Sequence, residues 1–145
     1  MISLLATPII SLLLFLPTYL TPNQQPTATT TPPAVEVPVT FDTEMTRLSS
    51  KYGVNEKLAR EIIKCESLIY GQDAENKNYD KYGNHWSTDW GYFQINDYWH
   101  EKPAKKLGYD IYDWKGNLEY GFLLISRDGL RHWSASKWCW EDWKN

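Results

Sequence analysis

Apolar residues recur at helical spacing between residues 56 and 68, in the stretch EKLAREIIKCESL. The stripe consists of Leu58, Ala59, Ile62 and Ile63, which is the spacing of a helix that buries one face. Asn55 precedes the stretch and is suited to accept a hydrogen bond from a free N–H group of the first turn. The pattern therefore predicts an amphipathic helix that begins just after Asn55.

Three other segments combine helical spacing with a glycine that suits the C-terminal end of a helix. Asp42 or Thr43 can cap the first of these segments, and Asp113 lies near the start of the last. The last segment also carries an apolar face, formed by Leu118, Gly121, Phe122 and Ile125. The predicted helices span residues 42–52, 98–107 and 115–128, and they are followed by Gly53, Gly108 and Gly129.

The segment between the helix predicted after Asn55 and the helix predicted at 98–107 has a polar part followed by an apolar part. Residues 71–88 are polar and rich in Asn, Asp and Gly, which indicates a long loop or a small hairpin, and loops of this length often carry function. The short sequence GYFQI, residues 91–95, follows as a buried segment. The whole pattern predicts a mainly α fold with a long polar loop or small hairpin between its helices.

The N-terminal part of the chain has a different composition. Residues 1–35 contain no Lys, Arg, Asp or Glu, and seven of the eight prolines lie at or before Pro38. Residues 1–20 are apolar and predict a secretory signal peptide or an uncleaved membrane anchor. Residues 21–40 are rich in Thr and Pro and predict an extended linker. The folded domain is then residues 41–145, and we expect export to the cell envelope or the extracellular space.

Charge and aromatic content indicate which classes of partner this domain can bind. The net charge is −3, so no basic surface for nucleic acid is expected. All eight tryptophans lie at or after Trp86, which is more than a small core readily holds. Two or three partly exposed rings would suit the flat apolar faces of sugar rings. We expect the domain to act as a monomer.

Cys65 and Cys139 are the only cysteines of the chain. In an exported domain of this size, an even count favours a disulfide between them over two buried free thiols. Two cysteines without a suitably spaced histidine do not make a zinc site, and His85, His100 and His132 lack the spacing of metal ligands. We therefore expect no metal and no cofactor.

Glu66 extends the apolar stripe of the helix predicted after Asn55. It stands four residues after Ile62 and three after Ile63, so the helix directs its carboxyl group toward the buried side. A lone carboxylate is costly to bury, and its pKa rises as a consequence. A carboxyl group that stays protonated near neutral pH is suited to be a general acid. For this helix taken alone, a Glu at the edge of the stripe, paired with a basic residue or reaching solvent, is the simpler interpretation.

A second polar cluster lies downstream, in the sequence STDWGYFQIN of residues 87–96. It offers a second carboxylate, Asp89, and the side-chain amides of Gln94 and Asn96, which can hydrogen-bond a sugar. Two carboxylates that flank one bond are the general arrangement for glycoside cleavage. Glu66 and Asp89 are therefore the candidate catalytic pair.

These two blocks together resemble the catalytic stretch of the lysozyme-like superfamily, which includes animal-type lysozymes and the soluble lytic transglycosylase domains of bacteria. Cys-Glu-Ser at residues 65–67 is followed, after a polar loop, by STDWGYFQIN. The flanks are more similar to the transglycosylase side, in Tyr-Gly-Val at 52–54, Leu-Gly at 107–108, Asn-Leu at 117–118 and WSASKWCW at 133–140. The resemblance covers nearly all of residues 41–140.

The resemblance implies a mainly α fold of the α+β type, in which the long polar loop or small hairpin lies beside an active-site cleft. It also implies a substrate and a set of site residues. The substrate is the glycan of peptidoglycan, cleaved at the β-1,4 bond between N-acetylmuramic acid and N-acetylglucosamine. Glu66 is the implied catalytic acid, and Asp89 matches the second carboxylate of lysozymes. The implied substrate-binding residues are Ser67, Gln94, Asn96 and Asn117. The loop from Glu66 to Asp89 is longer than in animal-type lysozymes, so their carboxylate separation does not transfer.

Two reaction outcomes and one inactive alternative stay open. If Asp89 faces Glu66, it can stabilise positive charge on the sugar, and water completes hydrolysis. Soluble lytic transglycosylases typically lack a second carboxylate and release 1,6-anhydro-muramyl ends instead, and the flanking similarity favours this outcome. A catalytically inactive, wall-binding module with the same fold is the remaining alternative, because fold does not imply function.

Overall fold

The computed structural model describes residues 38–68 and 70–144. Within them, five α-helices and one three-stranded antiparallel sheet form a small α+β domain. The helices are α1 (Phe41–Tyr52), α2 (Glu56–Ser67), α3 (Asp97–Lys106), α4 (Trp114–Asp128) and α5 (Lys137–Trp140), and the strands are β1 (Glu75–Tyr79), β2 (His85–Trp90) and β3 (Ile95–Asn96). Short 3-10 helices cover Gly71–Asp73, Arg131–Ser136 and Glu141–Lys144.

The helices α2 and α4 form where the apolar pattern predicts them. The side chain of Asn55 accepts a hydrogen bond from the N–H of Leu58 and caps α2. The carboxylate of Asp113 caps α4 in the same way, and the N–H of Gly129 closes its C-terminal end. The predicted stripe of α4 (Leu118, Gly121, Phe122 and Ile125) is buried. In α2 the stripe is buried at Ala59, Ile62 and Ile63, whereas Leu58 is only partly buried.

The first helix starts earlier than predicted. Thr40, rather than Asp42 or Thr43, is the N-cap of α1. Its hydroxyl accepts a hydrogen bond from the N–H of Thr43, and the hydroxyl of Thr43 accepts one from the N–H of Thr40. This reciprocal pair satisfies two N–H groups at once, which places Asp42 and Thr43 inside the first turn.

The polar stretch before Trp90 folds as a hairpin. Strands β1 and β2 pair with Asn78 opposite Ser87, and β2 pairs with β3 with Asp89 opposite Asn96. The predicted choice between a long loop and a small hairpin is therefore resolved in favour of the hairpin. Residues 91–95 form the turn from β2 to the start of β3, and the side chain of Phe93 in this turn is fully buried.

Phe93 lies at the centre of the apolar core. Its ring centroid is 5.9 Å from that of Phe122 and 5.4 Å from that of Trp133. A Cβ atom at Gly121 would lie 2.1 Å from the Phe93 ring, so only glycine at this position lets the turn pack directly onto α4. The contact brings the turn that follows β2 against the C-terminal half of the chain.

A disulfide joins Cys65 on α2 to Cys139 on α5, which confirms the predicted pairing. The described residues contain no helix that is both long enough and apolar enough to cross a membrane. The predicted signal peptide or anchor, residues 1–20, lies outside the described residues. So does the predicted linker, residues 21–40, except for its last three residues.

Candidate active site

A cleft of about 500 Å³ brings together side chains from the two sequence blocks. Glu66 reaches it from the last turn of α2, and Asp89 reaches it from β2. Gln94 and Asn96 line the same cleft. The remaining lining comes from β3, α3, α4 and the segment after α4, and it comprises Ile95, Trp99, His100, Leu124, His132, Trp133 and Ala135.

The carboxyl group of Glu66 is half-buried in this cleft. Burial raises the pKa of this carboxyl above its ordinary value, and the negative charge of Asp89 raises it further. A hydrogen bond from Ser136 acts in the opposite direction, and the net direction is upward. A carboxyl group with a raised pKa keeps its proton to higher pH, which is the property that a general acid requires.

Ser136 is the hydrogen-bond partner of Glu66. Its hydroxyl donates to Oε1 of Glu66, lies 3.1 Å from the carbonyl oxygen of Trp133 and accepts from the indole N–H of Trp140 at 3.2 Å. Sequence analysis missed this residue. The bond spans 70 residues of chain, and nothing in the local sequence Trp-Ser-Ala-Ser distinguishes Ser136 from Ser134.

The carboxylate of Asp89 is held by a symmetric set of amides. Asn78 on β1 donates to its Oδ2 at 3.0 Å, and Asn96 on β3 donates to its Oδ1 at 2.7 Å. Both amides also donate to the hydroxyl of Ser87, two residues earlier on β2, at 3.1 and 2.9 Å. Each oxygen of Asp89 therefore accepts one hydrogen bond from a neutral amide. Asn78 is a second residue of the site that sequence analysis missed.

Gln94 has a backbone conformation that is uncommon for a residue with a side chain. Its φ is 48°, and such residues persist where the surroundings hold them. Its side-chain amide donates to the carbonyl oxygens of Ala74 and Gly91 at 3.1 and 3.0 Å. Both bonds use Nε2, so Oε1 remains for a ligand, since no described residue donates to it.

The structure does not bring Ser67 and Asn117 into the cleft. The Ser67 side chain is 2% exposed and donates to the carbonyl oxygen of Ile63 within α2. Asn117 is 1% exposed, and its amide accepts from the N–H of Phe93 and donates to the carbonyl oxygens of Trp90 and Ile111. Both side chains are hydrogen-bonded to backbone groups. In this structure they therefore support the fold and do not line the cleft.

Two histidines add polar groups to the lining. The ring of His132 hydrogen-bonds Asp128 at 3.0 Å, and the ring of His100 hydrogen-bonds the hydroxyl of Tyr120 at 3.2 Å. Burial and the nearby His132 lower the pKa of His100 to about 4, so this ring is uncharged near neutral pH. The described residues contain no group of three or more His, Cys, Asp or Glu side chains arranged to hold a metal ion.

The cleft therefore holds one carboxyl group with a raised pKa and one carboxylate fixed by two amides. The first can give up a proton, and the second can stabilise positive charge. Comparisons of the chain with models of protein families, with curated proteins and with solved structures found no match.

Proposed function

We propose that this protein cleaves the β-1,4 glycosidic bond between N-acetylmuramic acid and N-acetylglucosamine in peptidoglycan. The observation that carries the proposal is the pairing of Glu66 and Asp89 in one cleft, with opposite environments. The raised pKa of Glu66 suits the role of acid, and the Asp89 carboxylate, fixed by two amides, suits the role of charge stabiliser. The resemblance of residues 65–67 and 87–96 to the lysozyme-like superfamily supports the substrate.

In the proposed reaction, Glu66 donates its proton to the oxygen of the scissile bond. The bond to the leaving sugar breaks as positive charge develops on the other sugar, and the ionised Asp89 stabilises that charge. Glu66, now a carboxylate, then takes a proton from the incoming nucleophile. Leu124 and Trp133 line the same cleft and keep the acid in apolar surroundings before transfer.

The geometry favours hydrolysis as the outcome. Asp89 lines the cleft, and its charge is close enough to Glu66 to affect that residue's pKa, which supports a mechanism with two carboxylates. Transglycosylation is the second candidate, supported by the flanks of the sequence that are similar to soluble lytic transglycosylases. In that reaction a hydroxyl of the substrate replaces water, and Asp89 serves only to hold the three strands together.

Glu66→Gln tests the catalytic assignment. The change removes the proton donor at nearly constant volume, so release of glycan fragments from purified sacculi should fall by about a thousandfold. The thermal midpoint of unfolding should stay at or slightly above that of the unsubstituted protein, because a half-buried carboxyl group becomes a neutral amide.

Glu61→Gln is the matched control, since Glu61 lies on the same helix and pairs only with Lys64 among the described residues. It should retain full activity. A Glu66→Gln variant that still releases fragments at the original rate would rule out Glu66 as the acid. If the unsubstituted protein and its variants all bind sacculi but release no fragments, the inactive wall-binding module is the correct alternative.

Mass spectrometry of the released fragments separates hydrolysis from transglycosylation, because the two products differ by one water. We expect reducing ends. We also expect Asp89→Asn to lower kcat by about two or more orders of magnitude with little change in KM, because the carboxylate would stabilise a charge that develops only in the transition state. The control is Asp73→Asn, in the 3-10 helix before β1. Anhydro ends from the unsubstituted protein would instead identify a lytic transglycosylase.

A further inference from the structure

Three aromatic side chains form an exposed cluster beside the cleft. Trp86 lies on β2, and Tyr98 and Trp99 lie in the first turn of α3. The ring centroids of Trp86 and Tyr98 are 5.4 Å apart, and those of Tyr98 and Trp99 are 4.7 Å apart. Their exposed fractions are 44, 64 and 63%. We call these three residues the aromatic face, and contiguous exposed apolar surface of this kind marks a binding site.

The aromatic face is built on rigid elements. The carboxylate of Asp97 accepts the N–H of Thr88 at 2.9 Å and the indole N–H of Trp90 at 3.2 Å. These bonds tie the start of α3 to β2, which carries Trp86. Rings that are already fixed lose little conformational entropy when they bind a partner, so the face is preformed.

The indole N–H groups of this face differ from those of three tryptophans that are hydrogen-bonded within the fold. Those of Trp90, Trp133 and Trp140 donate to acceptors within the fold. Among the described residues, none accepts from the indole N–H of Trp86 or Trp99. The face therefore combines flat apolar rings with two available donors, which matches the apolar face and the hydroxyl groups of a sugar.

Position and charge indicate the occupant. Trp99 belongs to the aromatic face and also lines the cleft beside Asp89, so a polymer that leaves the cleft on this side crosses the rings. The adjoining depression of about 480 Å³ carries charges of both signs, from Asp97, Glu101 and Lys102. Mixed charge selects neither a cationic nor an anionic partner, and it suits a neutral chain rich in hydroxyl and acetamido groups.

We propose that the aromatic face is a second glycan-binding surface, which begins at Trp99 on the wall of the cleft, continues beyond the cleft over Tyr98 and Trp86, and holds the protein on insoluble peptidoglycan. The inference rests on the proposed function for the identity of the polymer. Binding to this face does not require Glu66, so it is measurable in a protein that cannot cleave its substrate.

The test uses the full chain carrying Glu66→Gln and purified sacculi, with bound protein measured by sedimentation. Adding Trp86→Ala and Tyr98→Ala should weaken binding at least about tenfold, which corresponds to about 1.4 kcal/mol. The matched control adds Trp138→Ala and Tyr82→Ala, which remove exposed rings of the same kinds elsewhere (79 and 77% exposed). The control should bind within about twofold of the parent, a difference of about 0.4 kcal/mol.

A measurement without ring substitutions guards against misfolding. Titration of the Glu66→Gln protein with a β-1,4-linked N-acetylglucosamine oligomer should shift the indole N–H resonance of Trp86 in the NMR spectrum. Unchanged binding to sacculi in the ring variant, or an unmoved Trp86 signal, would overturn the inference. So would a dimer in sedimentation velocity that the same two substitutions dissociate, because the face would then join two copies of the chain.

The two proposals fail separately. If binding depends on the aromatic face while the unsubstituted protein releases no fragments, the proposed function is wrong and the glycan-binding surface stands. If fragments are released and the ring variant binds sacculi as its parent does, the proposed function stands and this inference is wrong.

Discussion

At the scale of single residues, the pair of Glu66 and Ser136 has the hydrogen bonding that an acid needs when it later becomes a base. While Glu66 is protonated, its O–H can donate to Oγ of Ser136, and the serine hydroxyl can donate to the carbonyl oxygen of Trp133, 3.1 Å away. After proton transfer, the same hydroxyl can turn to donate to the new carboxylate, because a hydroxyl group both donates and accepts. Ser136 is thus a positioning residue for the proposed reaction.

Ser136→Ala should move the alkaline limb of the profile of kcat/KM against pH to higher pH. The hydroxyl stabilises the charged form of Glu66 and so lowers the pKa of its carboxyl. Without the hydroxyl this pKa rises, and the acid keeps its proton to higher pH.

Two variants show whether the shift belongs to the hydroxyl. Ser134→Ala, two residues away on the same segment, should leave the profile unchanged, and Ser136→Thr should restore the original limb. An alkaline limb that does not move in Ser136→Ala would show that the contact with Glu66 has no role in its titration.

At the scale of elements, the three-stranded sheet places a row of polar side chains across its strands. Asn78 on β1 and Asn96 on β3 flank Ser87 and Asp89 on β2, and each amide donates to both of them. Ser87 and Asp89 are two residues apart, so they share one face of the strand. The pairing register of three strands, and not the sequence of one, therefore fixes the Asp89 carboxylate in the cleft.

A second element-scale junction joins α4 to the turn after β2 through Asn117. Its buried amide bonds three backbone groups, at Phe93, Trp90 and Ile111. Asn117→Ala leaves these groups without partners, and we expect a loss of about 2 to 4 kcal/mol in the free energy of unfolding. Urea unfolding measures this loss.

The same variant separates support of the fold from substrate binding. Since Asn117 lies outside the cleft lining, KM for glycan fragments should be unchanged at temperatures where the variant is folded. A large rise in KM at unchanged stability would restore the substrate-binding role that the sequence resemblance implied. Asn76→Ala, on an exposed position of β1, is the control for loss of an amide.

At the scale of the whole molecule, what the sequence predicts correctly is local. Asn55 and Asp113 cap the helices they precede, and the apolar stripes of α2 and α4 are buried, because caps and stripes depend on neighbours within a few residues. Glu66 was placed toward the buried side of α2 for the same reason. The sequence also predicts that Glu66 and Asp89 share a site, from their residue types and from the resemblance of two separate blocks, and both line one cleft.

What the sequence does not predict depends on distant contacts. Ser136 is hydrogen-bonded to Glu66, although 70 positions separate the two residues in the chain. Asn117 accepts a hydrogen bond from the N–H of Phe93 at a separation of 24 positions. The direction of a polar side chain on a helix depends on which backbone groups the rest of the fold leaves unpaired, and no local pattern encodes that. The exposed aromatic face has the same origin, since it combines one residue of β2 with two of α3.

The disulfide joins the helix that carries the proposed acid, Glu66, to the segment that carries its hydroxyl partner, Ser136. Cys65 precedes Glu66, and Cys139 follows Ser136 by three residues. Closing a loop with a sequence separation of 74 contributes about 4 kcal/mol in the chain-entropy model.

The double variant Cys65→Ser and Cys139→Ser should lose that amount of free energy of unfolding in urea. The alkaline limb of its profile of kcat/KM against pH should move to higher pH, as in Ser136→Ala, because the disulfide no longer holds Ser136 against Glu66. Reductant should lower the stability of the unsubstituted protein to the same level and leave the double variant unaffected; equal unfolding free energies with and without the disulfide would contradict this role.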